Sequence, residues 1–243
     1  MSDPRAGALH ADSPVGLWVA KHPETAEVFD MLQIDYCCGG DKPLENACWE
    51  NGLEVLRVHS LLKQTVAETH DTEHPDWMHA SLTELCDRIE QKHHARLKDS
   101  LPLLSRLMAE VVALHGEAHE ELREVEQHFM TWRDEILTAM AEEERSLFPA
   151  IRQYDSEAFT DHSETLTAPL QEMIYRVRFE HADIGEALKK TRSASKNFLA
   201  PKDACAKFSQ MYQLLRWTEA DVRQYVHKEE SILFPRVKKR LQG

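Results

Sequence analysis

The sequence predicts an all-α protein, a small helical N-terminal module followed by an up-down four-helix bundle made of two repeated halves. Three observations carry this. Long segments space their apolar residues by 3, 4 and 7, as one face of a helix does. The 243 residues include only 8 Gly and 10 Pro while 42% are hydrophobic, enough for a sizeable core. And one stretch occurs twice: Glu142-Glu143-Glu144-Arg145-Ser146-Leu147-Phe148-Pro149 returns as Lys228-Glu229-Glu230-Ser231-Ile232-Leu233-Phe234-Pro235. Glu143 and Glu229 stand 86 residues apart, His94 and His181 stand 87 apart. Two halves that each supply a histidine and then a glutamate describe a duplicated helix pair.

Taken in order, residues 1–12 are polar and small and read as a loose tail. Residues 13–70 form the helical module. Ser13 with Pro14 is the expected cap and first turn of a short helix. Pro23 opens a second helix carrying Ala26, Phe29 and Leu32, and Gly39-Gly40 turns the chain after Cys37-Cys38. A third helix is expected over 44–49 and a fourth over 53–69. Glu73-His74-Pro75-Asp76-Trp77 is a polar junction, and the bundle is expected over 76–243. Helix A runs from 81 past 107 and should bend at Leu101-Pro102. Helix B covers 117–154, residues 155–166 link the halves, helix C covers 169–191, and Ser193-Ala194-Ser195-Lys196-Asn197 breaks the pattern before helix D at 202–241. Phe148-Pro149 and Phe234-Pro235 should kink helices B and D, because a helical proline forfeits one backbone bond.

The chemistry falls on the apolar faces. Glu229 lies on the stripe that holds Val222, Tyr225, Val226 and Leu233, and Glu143 on the stripe that holds Ile136, Ala139, Met140 and Leu147. His181 is in line with Val177, Ile184 and Leu188, and His94 with Leu97, Leu101 and Leu104. A carboxylate facing a core is costly unless something positive meets it. Four helices that each aim one metal-capable side chain inward is how bundles build a metal site. Two plainer accounts stand beside that one: each polar side chain rests at the edge of its stripe and snorkels to water, or His and Glu pair without metal. Periodicity does not choose between His93 and His94. His115 and His119 read as solvated helix-start residues.

The net charge of −13 argues against a nucleic-acid backbone as partner. No run approaches the roughly 18 apolar residues of a membrane helix, and no signal-peptide run opens the chain, so a soluble cytoplasmic protein with no membrane partner is expected. Cys37, Cys38, Cys48, Cys86 and Cys205 form no disulfide framework, and reduced thiols fit that compartment. Neighbouring cysteines rarely form an unstrained disulfide. Cys37 and Cys38 are therefore read as two thiols that bind a soft metal, exchange disulfides, dock a partner, or simply pack.

Residues 14 to about 60 carry Val15-Gly16, Ile34-Asp35-Tyr36-Cys37-Cys38-Gly39-Gly40, Leu44, Ala47-Cys48 and Gly52-Leu53. This run resembles the N-terminal domain of the repair-of-iron-centres family, di-iron proteins implicated in mending iron–sulfur clusters damaged by nitric oxide or oxidants. In that family the domain precedes a hemerythrin-like four-helix bundle, and the same order covers nearly the whole chain. The resemblance implies non-haem iron held as a di-iron centre, damaged iron–sulfur proteins as partners, NO or O2 as reactants and a role in stress response. It selects His94, counted back from Leu101-Pro102. It makes Cys37 and Cys38 the place where a thiolate meets a partner, an iron or an oxidant. A homodimer is a further expectation, because so small a module gains from burying surface elsewhere.

The family pattern has six ligands: one histidine on each of helices A and C, and a His-x-x-x-Glu pair on each of B and D whose glutamates bridge the irons. The i, i+4 spacing puts both members on one face, a turn apart. Here Ala139 and Tyr225 stand where those two histidines would be, leaving His94, Glu143, His181 and Glu229. Three outcomes are open. Two metals bind with water, Tyr225 or Glu142 filling the gaps, a hard phenolate favouring ferric iron or manganese. Or Ala139 leaves one metal open to a small ligand such as NO or O2, giving a sensing or binding bundle. Or the site is degenerate and the bundle is a metal-free scaffold. His227, about 200° round the helix from Glu229, and His128, about 16 Å along helix B from position 139, are not obvious substitutes.

Overall fold

The computed structural model describes residues 9–69, 77–156 and 164–242. Residues 1–8 of the expected tail, most of the junction at 70–76 and the middle of the linker at 157–163 lie outside the described residues. Every named element among the described residues is helical, and the one β-bridge there joins Pro14 to Pro43. The chain divides into two units: one runs to Ala80 and includes His227–Arg236, the other holds Ser81–Val226 and resumes at Val237.

In the first unit the helices are α1 (Val15–Lys21), α2 (Thr25–Met31), α3 (Leu44–Glu50) and α4 (Val55–Glu68). Their apolar faces close over a core of Val15, Trp18, Phe29, Ile34, Tyr36, Leu44, Cys48 and Leu62, all buried. Ser13 is not the cap expected of it: Pro14, in extended backbone, precedes Val15 with no side-chain cap, and the Ser13 hydroxyl instead accepts the N–H of His10. Nor is the chain loose up to residue 12. Leu9 is buried, and the Ala11 carbonyl accepts the N–H of Glu45 at 2.9 Å, so order begins earlier.

Two glycines in this unit are required by close approach. A Cβ on Gly16 would collide with the Ser231 hydroxyl, and one on Gly40 would lie 2.8 Å from the Tyr36 carbonyl and 3.0 Å from Ser231 Oγ. Gly16 N–H donates to the Gly40 carbonyl at 2.9 Å, so the two glycines are tied to each other beneath the segment that carries Ser231. On the same segment Lys228 stands over the Trp77 ring at 5.0 Å, and the Arg236 guanidinium donates to the carbonyls of Trp77 and Ala80.

The second unit is the bundle: α5 (Leu82–Ile89), α6 (Ala95–His115), α7 (Glu121–Glu142), α8 (Phe148–Asp155), α9 (Glu164–Ala194), and most of α10 (Ala206–Lys228), with α11 (Phe234–Leu241) closing the chain. Ser81 and Glu84 form a reciprocal capping box at the head of α5. Leu101, Leu104, Val125, Phe129, Trp132, Ile136 and Leu215 are wholly buried, as the 3.6-residue period requires. The pattern break after helix C is a left-handed run, Lys196, Asn197 and Phe198 at φ 51°, 60° and 61°.

Among the described residues three π-helical turns interrupt the α-helices: Glu90–His94, Glu143–Leu147 and Glu229–Leu233. In each the bond spans five residues, from Ala95 N–H to the Glu90 carbonyl, Phe148 to Glu143 and Phe234 to Glu229. Pro149 and Pro235 explain two of them: each lacks the N–H that would bond four residues back, and the turn before it widens. The expected proline kinks are thus wide turns that start at the glutamates. Helix A is interrupted at Glu90–His94 instead of at Leu101-Pro102, since α6 continues through Pro102.

Candidate metal centre

In the bundle, the side chains of His94, Glu143, His181 and Tyr225 are buried together. His94 closes the first π turn and Glu143 opens the second, so wide turns aim both side chains. His94 Nε2 lies 3.3 Å from Glu143 Oε2, and His181 Nε2 lies 3.7 Å from Glu143 Oε1. Ligand atoms of Glu143 and His181 are within 4.8 Å of one another, close enough to share an ion. The Tyr225 hydroxyl is 2.6 Å from both carboxylate oxygens of Glu143. The Tyr225 ring stands edge-on to both imidazoles, 5.0 Å from His94 and 5.9 Å from His181 between centroids.

Burial alone would push the Glu143 carboxyl up. The hydrogen bonds and charges of His181 and His94 outweigh it and hold the group at about 2. Behind His94, Nδ1 meets Glu144 Oε1 at 2.9 Å, and Lys98 donates to both oxygens of Glu144 at 2.6 and 2.7 Å. The Phe148 ring stacks on His94 at 5.6 Å, fixing the imidazole plane. A carboxylate behind a histidine that faces inward is the arrangement that orients metal-binding imidazoles.

Other residues singled out in the sequence go elsewhere. His93 turns away from this group and bonds Asp221 through Nδ1 at 2.8 Å. Glu142, expected to fill a vacant coordination position, is a correction: it reaches outward, its oxygen 2.5 Å from the Arg176 guanidinium and 3.6 Å from that of Arg145. Ala139 is wholly buried one turn before Glu143 and brings no donor. His115 and His119 are not merely solvated: His115 Nε2 is 3.1 Å from Cys205 Sγ and His119 Nε2 is 3.3 Å from Asp203. Glu229 is wholly buried and opens the third π turn. Near it in sequence His227 is buried edge-on to Tyr36, 5.6 Å between rings, and burial with the nearby Lys228 charge pushes its imidazole down to about 3.

In the first unit Asp35, Cys37 and Cys38 come together. Asp35 Oδ1 accepts the N–H of Cys37 and of Cys38, each at 3.1 Å, and the two sulfurs are 3.7 Å apart. Asp35, Glu144 and Lys98 are the residues that sequence reasoning passed over. Glu144 lay beside a residue already singled out, and Lys98 stands one turn beyond His94 on the same helix face.

The model of the hemerythrin HHE cation-binding domain matches residues 87–237, and that of ScdA_N, a domain of unknown function, matches residues 11–65. The iron-sulfur cluster repair protein YtfE of Edwardsiella ictaluri (strain 93-146) is 30% identical over 227 residues, which is 93% of this chain and 97% of that protein. The protein of the same name from Enterobacter sp. (strain 638) is 29% identical over 226 residues, 93% of this chain and 96% of that protein. No helix among the described residues is long and apolar enough to cross a membrane.

Proposed function

We propose, for a chain that belongs to the iron–sulfur cluster repair family and carries its hemerythrin HHE cation-binding bundle, that the bundle holds non-haem iron used to repair or protect iron–sulfur clusters under nitrosative or oxidative stress. The observation that carries this reading is Glu143, wholly buried, with two imidazoles and one phenol turned toward it. If Nδ1–H of His94 donates to Glu144, then Nε2 presents a lone pair to a carboxylate 3.3 Å away. Two electron-rich atoms so placed call for a cation. A proton on the imidazole meets the need without metal, and a metal ion meets it in the proton's place. The donor set of imidazole nitrogen and carboxylate oxygen suits iron, manganese or zinc.

His94 and His181 would be terminal ligands, one for each ion of a di-iron pair, and Glu143 a bridging carboxylate. Glu229 would be the second bridge. Its support is the sequence duplication, its complete burial, and its place four residues after Tyr225, whose hydroxyl meets Glu143. When bound, iron supplies Lewis-acid and one-electron chemistry at that carboxylate. The chain's own contribution is to exclude water, hold Glu143 charged and fix the His94 ring through Glu144. Tyr225 donates its proton to Glu143 in this structure; on giving that proton up to a bound metal its oxygen would favour ferric iron or manganese over softer ions. Damaged iron–sulfur proteins are the partners that fit this role.

Metal analysis of protein purified from iron-supplemented cells tests the proposal. One to two irons per chain, together with restored activity of a cluster enzyme previously inactivated by nitric oxide, are expected; well under one metal per chain removes the reading and leaves a scaffold. Ala139 favours a second reading. A methyl group stands where an imidazole would fill the pocket, so an adjacent metal could take NO or O2 there. A spectrum that changes with NO while the damaged enzyme stays inactive would select sensing over repair.

A further inference from the structure

We propose that Asp35, Cys37 and Cys38 form a second metal site, an open three-ligand site of two thiolates and one carboxylate for a zinc-class divalent cation. It stands whether or not the bundle holds iron, since it shares no residue with the bundle's candidate ligands.

The geometry is that of a chelate already folded. Cys37 Sγ and Cys38 Sγ are 3.7 Å apart, and Asp35 Oδ1 is 3.2 Å from Cys37 Sγ. Ligand atoms of all three residues lie within 4.8 Å of one another. Two sulfurs bound tetrahedrally at about 2.3 Å from one zinc-class ion are separated by about 3.7 Å, and an oxygen at about 2.0 Å lies about 3.5 Å from each sulfur. Two of the three edges therefore match those of a bound ion to within a few tenths of an ångström.

The turn is also held from behind. Asp35 fixes the backbone of both cysteines through its two N–H contacts, Tyr36 between them is wholly buried, and the Gly40 carbonyl is tied to Gly16 N–H at 2.9 Å. Cys37 is buried while Asp35 and Cys38 keep partial access to solvent, so an ion can enter. The competing fate of two adjacent thiols is a disulfide. Neighbouring Cα atoms are about 3.8 Å apart, short of the roughly 4.4–6.8 Å that unstrained disulfides span, which favours shared metal over a sulfur–sulfur bond.

Uptake is a simple exchange. One divalent cation binds, the two thiols release two protons to solvent, two metal–sulfur bonds form, and no group is oxidised or reduced. Three protein ligands leave the fourth tetrahedral position to water or an incoming ligand, so the ion is exchangeable rather than sealed.

The test uses the full chain, kept reduced, with Co²⁺ as an optical stand-in for the cation. The expected result is one equivalent of cobalt in a tetrahedral, thiolate-rich environment, seen as sulfur-to-cobalt charge transfer with intense visible bands, and displaced by Zn²⁺. The bundle's candidate ligands include no sulfur and cannot give the charge-transfer signal. The signal should vanish in Cys37→Ser/Cys38→Ser and persist in Cys205→Ser. Asp35→Asn keeps an oxygen for the two N–H donors but loses the charged ligand, and should weaken cobalt binding about tenfold or more. Three outcomes overturn the proposal: no thiolate signal in the reduced parent, a signal that survives the double serine variant, or Asp35→Asn binding equal to the parent.

Discussion

The two halves of the duplicated bundle keep the same histidine and glutamate but surround them differently. In the first half His94 is braced from behind by Glu144, itself held by Lys98, and the position one turn before the glutamate is only Ala139. In the second half the matching position is Tyr225, and its hydroxyl does not serve its own half: it reaches the first half's Glu143 with two 2.6 Å contacts. The first half orients a ligand; the second lends a proton donor to a buried charge. The difference teaches that equivalent positions of the two halves carry unequal roles. Ala139 offers only a methyl group, while Tyr225 offers a hydroxyl that meets Glu143.

The largest expected effect comes from removing the charge both halves converge on. Glu143→Gln keeps the size but not the carboxylate, and iron content should fall from stoichiometric to background. It also leaves two buried imidazoles without their counter-charge, a loss of about 3–5 kcal/mol where a buried pair is broken. A variant that retains iron would place the metal elsewhere. Next is the brace peculiar to the first half. Glu144→Ala should weaken iron binding by about 10–100-fold, the usual cost of losing a carboxylate that orients a metal-binding histidine. Competition against a chelator of known affinity reads this out, and unchanged affinity would show that Phe148 stacking alone fixes the ring.

Restoring symmetry should act in the opposite direction and more mildly. Ala139→His with Tyr225→His supplies the i, i+4 partner of each glutamate and should raise iron affinity. Tyr225→Phe separates the two roles of that residue. It should cost about 1–3 kcal/mol of stability in the metal-free protein, because Glu143 loses its hydroxyl partner, while leaving imidazole contacts in place. If the double histidine variant binds no more iron than the parent, the helix registers assigned from periodicity fail at those positions.

How far the sequence could be read follows from the same comparison. The helical fold and the inward aim of Glu143 and His181 were legible because duplication and a 3.6-residue period repeat over many turns, whereas His93 and His94 are both buried and periodicity alone does not separate them. The π turns were not, since a five-residue turn shifts the register by one position and leaves the apolar pattern on either side intact. Glu144 and Lys98 look in sequence like any solvated charges on a helix; only folding shows that one backs a histidine. Gly16 and Gly40 likewise carry no hint of Ser231, which lies some 200 residues on. Ser13 shows the reverse error, a good cap by composition whose hydroxyl folded back to His10.

The smallest expected effect tests a contrast within the bundle, between a carboxylate held by imidazoles and one held by a helix start. Burial opposes ionisation of Asp155, but the N–H and hydroxyl of Thr83 and the Arg240 guanidinium outweigh it and hold the group below the usual carboxylate range. Because its folded value lies below that of the unfolded chain, near 3.9, the unfolded state binds more protons in that window. Its contribution is therefore complete above about pH 4 and is lost as the pH falls through the folded value. Asp155→Asn should lower stability at neutral pH by about 1 kcal/mol and make the acid limb shallower, since the variant has no such proton to take up. Urea unfolding of the metal-free protein at a series of pH values checks both. Parallel acid limbs for variant and parent would mean that the Thr83 contacts hold equally well to a neutral oxygen, and that charge at this helix start adds nothing.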